Sequence, residues 1–225
     1  MESAPVLPAG NPESIVAAAQ LLRDGGVVVI PTDTVYGLAA SVFRPEAVAR
    51  VFQVKERAPD VRVPVLVATA ADIPLLAREV PRDAWNLIVP FWPGALTLVL
   101  PARRDLPPEL TRGGDTIAVR VPAALPTLRL LEVLGEPIVG TSANISGWPA
   151  ARTWEAAAAQ IGGRVDAILA DDNAVTGGLP STVVELQEGQ PIIHRVGAIS
   201  SEQIRNALGA RRKVREDLTY RSRPR

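Results

Sequence analysis

Cysteine is absent from this 225-residue sequence, and His194 is its only histidine. The lack of cysteine excludes disulfides, thiolate nucleophiles and cysteine-ligated zinc. A single histidine excludes a multi-histidine metal site, and a Ser-His-Asp relay would have to run through His194 alone. Chemistry in this chain must therefore rest on arginine, lysine, hydroxyl, amide and carboxylate side chains and on backbone amides.

Long apolar runs are absent as well. No stretch approaches the roughly 18 to 20 residues that a membrane-spanning helix needs. The N-terminus also lacks the basic-then-apolar pattern of a signal peptide. We therefore expect a cytoplasmic protein without membrane contact, whose 47% of hydrophobic residues can bury one good core.

Lysine is scarce, because only Lys55 and Lys213 among the 24 basic residues are lysines. A compact, flexible ammonium where arginine is otherwise used makes Lys55 a candidate site residue, with chance as the competing explanation. Positive charge collects at the C-terminus, where residues 203–225 carry eight basic and two acidic side chains. This distribution predicts a domain over 1–209 followed by a basic tail over 210–225, solvated or ordered by a partner.

The clearest local pattern is a buried strand over Val27–Ile30 that Pro31 ends, since proline has no backbone donor. A polar loop with Thr32, Asp33, Thr34 and Tyr36 follows directly. Ligands collect at strand ends in open α/β sheets, so this loop is a candidate site. An ordinary turn whose hydroxyl groups bond their own backbone is the alternative.

Helices and strands are intermixed along the rest of the chain, without repeats. Asn11 and Pro12 predict the start of a helix that runs to about Asp24. Apolar spacing predicts a second helix over Pro45–Lys55, two more between Ala71 and Pro90, and others over 125–134, 153–161 and 200–208. Strands are predicted over 63–68, 95–100, 116–121, 137–140, 167–170, 182–186 and 191–195. The pattern predicts one α/β (α+β) domain around a twisted, mixed sheet.

Neither common nucleotide-binding signature, G-x-x-x-x-G-K-[ST] or G-x-G-x-x-G, is present. Lys55 and Arg57 supply two cations at a predicted helix end, where capping of helix carbonyls is an equal alternative. Polar loops also follow three later strands, over Thr141–Gly147, Pro180–Glu185 and His194–Gly197. Four such loops, together with Arg120 at the end of another strand, predict a common cleft.

These motifs strongly resemble those of the YrdC/Sua5 family, and they occur in the family's order from about Ser14 to Leu208. The motifs are Pro31–Leu38, Lys55-x-Arg57, Trp92–Leu98, Val119–Pro122, Thr141–Gly147, Ser181–Val184 and Arg195-x-Gly197.

The resemblance implies a twisted α/β sheet that encloses a positively lined cavity. It also implies a threonylcarbamoyl-AMP synthase, a nucleotidyltransferase that converts L-threonine, bicarbonate and ATP into threonylcarbamoyl-adenylate and pyrophosphate. The product would be passed to a complex that modifies adenosine 37 of tRNA. Magnesium would arrive with ATP, and no protein metal site or organic cofactor is expected.

The resemblance further implies roles for individual residues. Lys55 and Arg57 would be the catalytic, phosphate-binding pair. Threonine would be held by Thr34, Arg120, Ser142 and Ser181. The nucleotide would contact Lys55, Arg57, Thr116, Asn144, Arg152 and Arg195. Tyr36 would shape the threonine pocket. Asp33 is left without an assigned contact: its carboxylate lies beside a site for anions, which favours orienting a cation or the loop backbone over touching phosphate.

Two departures from the family pattern stand out. The link from Ala58 to Val63 is longer than usual, so Arg62 is not assigned to the polar position that the family often has there. The chain also resembles the short family form, without a further C-terminal domain. Two other functions stay open: an RNA-binding module that uses the basic tail and cavity, and a carbamoyl-transfer domain that acts on carbamoyl phosphate.

Overall fold

The computed structural model describes residues 3–57, 63–173, 177–187, 190–209 and 214–217. The described residues form one mixed sheet of eleven strands. In chain order the strands are β1 (Val6–Pro8), β2 (Val28–Ile30), β3 (Gly37–Ser41), β4 (Val65–Leu66), β5 (Leu96–Pro101), β6 (Thr116–Arg120), β7 (Ile138–Ser142), β8 (Ala167–Ala170), β9 (Thr182–Gln187), β10 (Gln190–Arg195) and β11 (Arg215–Glu216).

Seven α-helices accompany the sheet in the described part of the chain. They are α1 (Pro12–Arg23), α2 (Pro45–Val54), α3 (Arg82–Phe91), α4 (Pro108–Thr111), α5 (Leu125–Leu134), α6 (Trp154–Ile161) and α7 (Ser201–Leu208). Short 3₁₀ helices span Ala70–Leu75 and Gly162–Arg164. Among the described helices none is long and apolar enough to cross a membrane.

The sheet runs in the order β1-β8-β2-β3-β7-β4-β6-β5-β9-β10-β11. Parallel and antiparallel pairs alternate irregularly: β2 and β3 form an antiparallel hairpin, whereas β5 pairs with β9 in parallel. This order places β7, β4, β6, β5 and β9 side by side at the centre of the sheet. The predicted mixed α/β sheet is therefore confirmed.

The core lies on both faces of the sheet. Val27 and Val29 pack into the larger apolar cluster, while Val28 and Ile30 pack into a smaller one with residues of α1 and α5. Successive side chains of a strand point to opposite faces, so the four-residue apolar run is buried on both sides.

Most predicted elements are present with small shifts in their ends. α5 and β8 have the predicted bounds, and Asn11 caps α1 by accepting the backbone N–H of Glu13 at 3.0 Å. The strand predicted over 63–68 is shorter, as β4. The first helix predicted after Ala71 is instead a 3₁₀ helix, which contains Pro74.

The strand β3 was not predicted, and neither were β1, α4 and β11. The sequence of β3, Gly-Leu-Ala-Ala-Ser, contains no β-branched residue and so carries no local strand signal. Pairing with β2 on one side and β7 on the other makes it a strand whose five residues are all buried. Tertiary context therefore decides the conformation of this segment.

Part of the segment predicted as a tail forms β11, which pairs in parallel with β10. Asp217 N donates to Ile193 O at 2.9 Å, and Arg205 forms an ion pair with Glu216 at 2.6 Å. The described sheet thus continues beyond the predicted domain boundary at 209. Residues 210–213 and 218–225 of the predicted tail, and Arg62, lie outside the described residues.

Candidate active site

A cavity of about 870 Å³ lies over the central strands of the sheet. Its volume is typical of small-molecule sites. One face of the sheet forms its floor through Leu66, Thr97, Val99, Ala118, Gly140 and Val183. The four polar loops predicted to converge do line this cavity. Their lining residues are Thr32, Thr34, Val35, Tyr36 and Gly37 in the first loop, Thr141, Ser142, Ser146 and Gly147 in the second, Pro180 and Ser181 in the third, and Arg195 in the fourth. The cavity therefore extends from the strand ends onto the sheet face.

Three arginines, Arg57, Arg120 and Arg195, line this cavity, and no aspartate or glutamate does so among the described lining residues. Burial lowers the pKa of Arg195, and the positive charges of Arg120 and Arg57 lower it further. The three guanidinium groups are thus close enough to repel one another. An anionic ligand would relieve this repulsion, so the cavity suits phosphate and carboxylate groups.

Arg120 is held by three protein acceptors. Its Nη2 donates to Asp33 Oδ1 at 2.6 Å, its Nη1 to Thr34 Oγ1 at 3.0 Å, and its Nε to Gly94 O at 2.9 Å. Burial lowers the pKa of Arg120, whereas the charge of Asp33 opposes this shift. Two predicted threonine-binding residues, Thr34 and Arg120, are thus in direct contact.

Ser181 joins Arg195 to the sheet floor. Its Oγ lies 2.8 Å from Thr97 Oγ1 and accepts Nη2 of Arg195 at 2.9 Å, while Arg195 Nε donates to Ser181 O at 2.9 Å. Thr97 was not among the predicted site residues. The signal that could have found it is its position as the one hydroxyl residue within the apolar strand β5.

The last position of the Arg195-x-Gly197 motif requires glycine because there is no room for a side chain. A Cβ atom at this position would lie 2.0 Å from the carbonyl oxygen of Pro180. Gly197 N donates to Thr182 Oγ1 at 2.8 Å, directly beside the Ser181 loop. The glycine therefore permits the close approach of the two loops that set Ser181 against Arg195.

Lys55 is the C-cap residue of α2 and is not among the residues that line the cavity. Its side chain is buried, and its Nζ donates to Ser142 O, to Asn144 O at 2.8 Å and to Asn144 Oδ1 at 3.2 Å. Burial lowers the pKa of Lys55 to about 7, with a smaller contribution from the charge of Arg57. In this structure the ammonium fixes the loop that carries Ser142, which does line the cavity.

Glu56 separates the two cations of the Lys55-x-Arg57 motif and has an unusual backbone. Its φ of 50° places it in the left-handed region, which is rare for a non-glycine residue. Its Oε1 accepts Arg164 Nη1 at 2.6 Å. The reversed backbone at Glu56 allows Lys55 to point into the Ser142 loop while Arg57 lines the cavity.

The other predicted nucleotide-binding residues, Asn144, Arg152 and Thr116, lie outside the cavity lining. Asn144 is buried, and its Nδ2 donates to Ile145 O at 2.8 Å and to Trp148 O at 2.7 Å. The Arg152 guanidinium lies against Gly178, a lining residue, and Thr116 pairs with Pro101 at the start of β6. None of these three is among the lining residues.

Tyr36 anchors the first loop. Its hydroxyl donates to Asp171 O at 2.9 Å and accepts Asp171 N at 3.0 Å, and burial raises its pKa to about 12. The residue lines the cavity. The described residues contain no group of three or more His, Asp or Glu side chains that could hold a metal ion.

The sheet and the arginine-lined cavity together define an α/β protein suited to anionic ligands. The chain belongs to the Sua5/YciO/YrdC family, since the model of that family, described as "Telomere recombination", matches residues 20–197. The family resemblance inferred from the sequence motifs is thereby confirmed.

Curated relatives of this chain carry the name threonylcarbamoyl-AMP synthase. The Pyrococcus abyssi protein is 39% identical over 192 residues, which are 85% of this chain and 56% of that protein. The Nitrosococcus oceani protein is 34% identical over 173 residues, which are 77% of this chain and 93% of that protein. The chain therefore spans little more than half of one relative and most of the other.

A solved structure of Pyrococcus abyssi Sua5 complexed with L-threonine has the same fold. The two chains superpose with a TM-score of 0.89 at 35% identity, which covers 96% of this chain and 63% of the Pyrococcus chain. Nearly all of this chain thus corresponds to about two thirds of a protein that binds L-threonine.

Proposed function

We propose that this chain is an L-threonylcarbamoyladenylate synthase, a nucleotidyltransferase that uses L-threonine, bicarbonate and ATP. The observation that carries this proposal is the superposition on a threonine-bound Sua5 structure with a TM-score of 0.89. The names of the curated relatives support the same activity. The three arginines of the cavity supply the positive charge that such a reaction needs.

The proposed reaction has two steps. The threonine amine attacks the bicarbonate carbon, and loss of water gives a carbamate. A carbamate oxygen then attacks the α-phosphorus of ATP, and the bond from that phosphorus to the bridging oxygen breaks to release pyrophosphate. No protein nucleophile is required, so catalysis depends on the positioning of reactants and on charge neutralisation.

The threonine subsite is proposed at Thr34, Arg120, Ser142 and Ser181. All four residues line the same cavity. The guanidinium of Arg120 has more N–H donors than its contacts with Asp33, Thr34 and Gly94 use, so it can also bind a carboxylate. Its planar group suits the threonine carboxylate, and the hydroxyl groups suit the amine and side chain.

The nucleotide subsite is proposed at Arg57 and Arg195, with Lys55, Thr116, Asn144 and Arg152 as the further predicted contacts. Arg57 and Arg195 line the cavity and can neutralise the triphosphate directly. In the structure the Lys55 ammonium binds Asn144, which lies in the same loop as Ser142. Magnesium would be carried by the phosphates of ATP and would neutralise charge on the leaving pyrophosphate.

The partners follow from the proposed product. Threonylcarbamoyl-adenylate is an activated acyl donor, so we propose that it passes to a complex that modifies adenosine 37 of tRNA. A contact between tRNA and the basic residues of 210–225 is part of the same proposal.

Pyrophosphate release tests the proposed function. Release should require threonine and bicarbonate together with ATP. Arg57→Ala should lower the rate by at least about tenfold, because it removes one charge contact with the transferred phosphate. Arg129→Ala is the matched control, since Arg129 is exposed on α5 away from the cavity. Equal rates for the two variants would contradict the assignment of Arg57.

A further inference from the structure

A buried pair of ionisable residues, His194 and Glu185, lies outside the predicted substrate contacts. His194 Nε2 is 2.5 Å from Glu185 Oε2, and the two side chains are 5% and 13% exposed. Neither residue lines the cavity. Their neighbours in sequence and space do line it, because Arg195 follows His194, and Val183 lies two residues before Glu185 on β9.

The register of the strands places Glu185 on the cavity face of the sheet. β5 pairs with β9 so that Thr97 lies opposite Val183 and Val99 lies opposite Glu185. Thr97, Val99 and Val183 all line the cavity. Residues two apart on a strand share a face, so the side chain of Glu185 shares the face of Val183.

The hairpin of β9 and β10 has an irregularity at His194. Ile193 lies opposite Val184 and Arg195 lies opposite Val183, so that β10 has one extra residue, His194, at this point. In a regular strand the consecutive residues His194 and Arg195 would point to opposite faces. Here both reach the cavity face, His194 to Glu185 and Arg195 to Ser181. An extra residue of this kind is a β-bulge, which redirects a side chain.

We propose that the His194–Glu185 pair is a positioning device for Arg195. The pair ties the extra residue of β10 to β9, and this bulge turns the Arg195 guanidinium towards Ser181 and the cavity. The role in catalysis rests on the proposed function, because it takes Arg195 as a nucleotide contact. His194 is a positioning residue and acts on the substrate only through Arg195.

Four variants separate this role from a general loss of stability. His194→Leu removes the contact with the Glu185 carboxylate. His194→Gln can keep a donor near the position of Nε2. The double variant His194→Leu/Glu185→Leu removes both polar groups, so that no buried carboxylate is left without a partner. Leu186→Ala is the matched control, because Leu186 is buried in the same hairpin, one residue from Glu185 and on the opposite face.

ATP affinity measured by calorimetry is the first readout. His194→Leu and the double variant should each weaken ATP binding by at least about tenfold, the scale expected for a displaced binding group. His194→Gln should recover most of the affinity, and Leu186→Ala should bind ATP as the wild type does. In an Arg195→Ala background, His194→Leu should have no further effect, because the two changes act through one guanidinium.

The KM values add a test within the reaction. His194→Leu should raise the KM for ATP and leave the KM for threonine within twofold. Unchanged ATP affinity in the double variant, or an equal loss in Leu186→Ala, would overturn the positioning role. A wild-type chain that binds ATP without forming product would contradict the proposed function and leave the affinity test of the pair intact.

A measurement without any ligand tests the positioning role even if the chain does not bind ATP. The Nε–H of Arg195 donates to Ser181 O at 2.9 Å, so its NMR signal should exchange slowly with water in the wild type. The exchange should become fast in the double variant and stay slow in Leu186→Ala. Slow exchange in the double variant would overturn the proposal whatever reaction the chain catalyses.

Discussion

Asp33 Oδ1 accepts two hydrogen bonds, from Nη2 of Arg120 at 2.6 Å and from the backbone N of Ala123 at 2.9 Å. In this ion pair the Arg120 side chain is 7% exposed and the Asp33 side chain is 16% exposed. The loop after β2 thereby sets the position of an arginine at the end of β6. Asp33 thus joins a cation and a backbone N–H group in this structure.

Replacement of Asp33 should impair both stability and threonine binding. Removal of one partner from a buried ion pair costs about 3 to 5 kcal/mol of unfolding free energy. Asp33→Ala should therefore unfold at a lower urea concentration and have a raised KM for threonine. Asp33→Asn retains an acceptor and should lie between Asp33→Ala and the wild type. A threonine KM that stays at the wild-type value in Asp33→Ala would argue against this role.

Lys55 should make the binding of anions depend on pH. Its pKa of about 7 means that the ammonium loses its positive charge as the pH rises through neutrality. The affinity for inorganic pyrophosphate should therefore fall as the pH rises through about 7 in the wild type. Lys55→Met, which has no charge to lose, should lack this fall and show only the change that the ionisation of pyrophosphate itself causes, and it should have at least about tenfold lower activity. Parallel profiles for the two proteins would exclude Lys55 as the titrating group.

The same pKa shift predicts how stability changes with pH. Between about 7 and the ordinary value of 10.5, the unfolded chain binds more protons at Lys55 than the folded chain does. Lys55 therefore contributes a rise in unfolding free energy as the pH increases through this range. Urea unfolding at several pH values should show that rise in the wild type relative to Lys55→Met. A constant difference between the two proteins would mean that Lys55 has an ordinary pKa.

Glu56, which lies between Lys55 and Arg57, allows a test of whether its left-handed backbone is strained. A left-handed backbone costs a non-glycine residue about 1 kcal/mol. The ion pair with Arg164 is exposed, and such a pair contributes about 0 to 1 kcal/mol. Glu56→Gly should therefore be more stable than Glu56→Ala, since both lose the ion pair but only glycine relieves the strain. Equal stability of the two variants in urea unfolding would show that φ at Glu56 is not strained.

Gly197→Ala should displace the Arg195 loop. The added Cβ would lie 2.0 Å from Pro180 O and 2.6 Å from Ser181 C, so the backbone must move. We expect lower stability and at least about tenfold weaker ATP binding, because Arg195 would lose its position beside Ser181. Gly10→Ala is the control, since no atom lies within 4 Å of a Cβ there. Wild-type ATP affinity in Gly197→Ala would show that this close approach does not serve the cavity.

Much of the fold could be predicted from local signals. The cap of α1 by Asn11, the apolar spacing in α2 and α5, and the run over Val27–Ile30 are properties of neighbouring residues. β3 could not be predicted, because its alanines favour no strand and only its two neighbours hold it extended. Long-range pairing also makes β11 a strand, through its contact with β10.

The sequence predicted which residues belong to the candidate site, but not how their side chains are placed around the cavity. Arg120, Thr34, Ser142, Ser181, Arg57 and Arg195 do line one cavity. The position of Lys55 behind Ser142 depends on the left-handed backbone of Glu56, which a glutamate rarely adopts. The bulge at His194 likewise depends on the strand register, which is not visible in the sequence of β10 alone.

Product analysis with carbon-13-labelled bicarbonate tests the central claim most directly. The wild-type chain, given ATP, magnesium, L-threonine and labelled bicarbonate, should form threonylcarbamoyl-AMP that carries the label, together with an equal amount of pyrophosphate. Mass spectrometry should detect no such product when threonine or bicarbonate is omitted. Pyrophosphate release at the same rate without threonine, or an AMP product without the label, would contradict the proposed function.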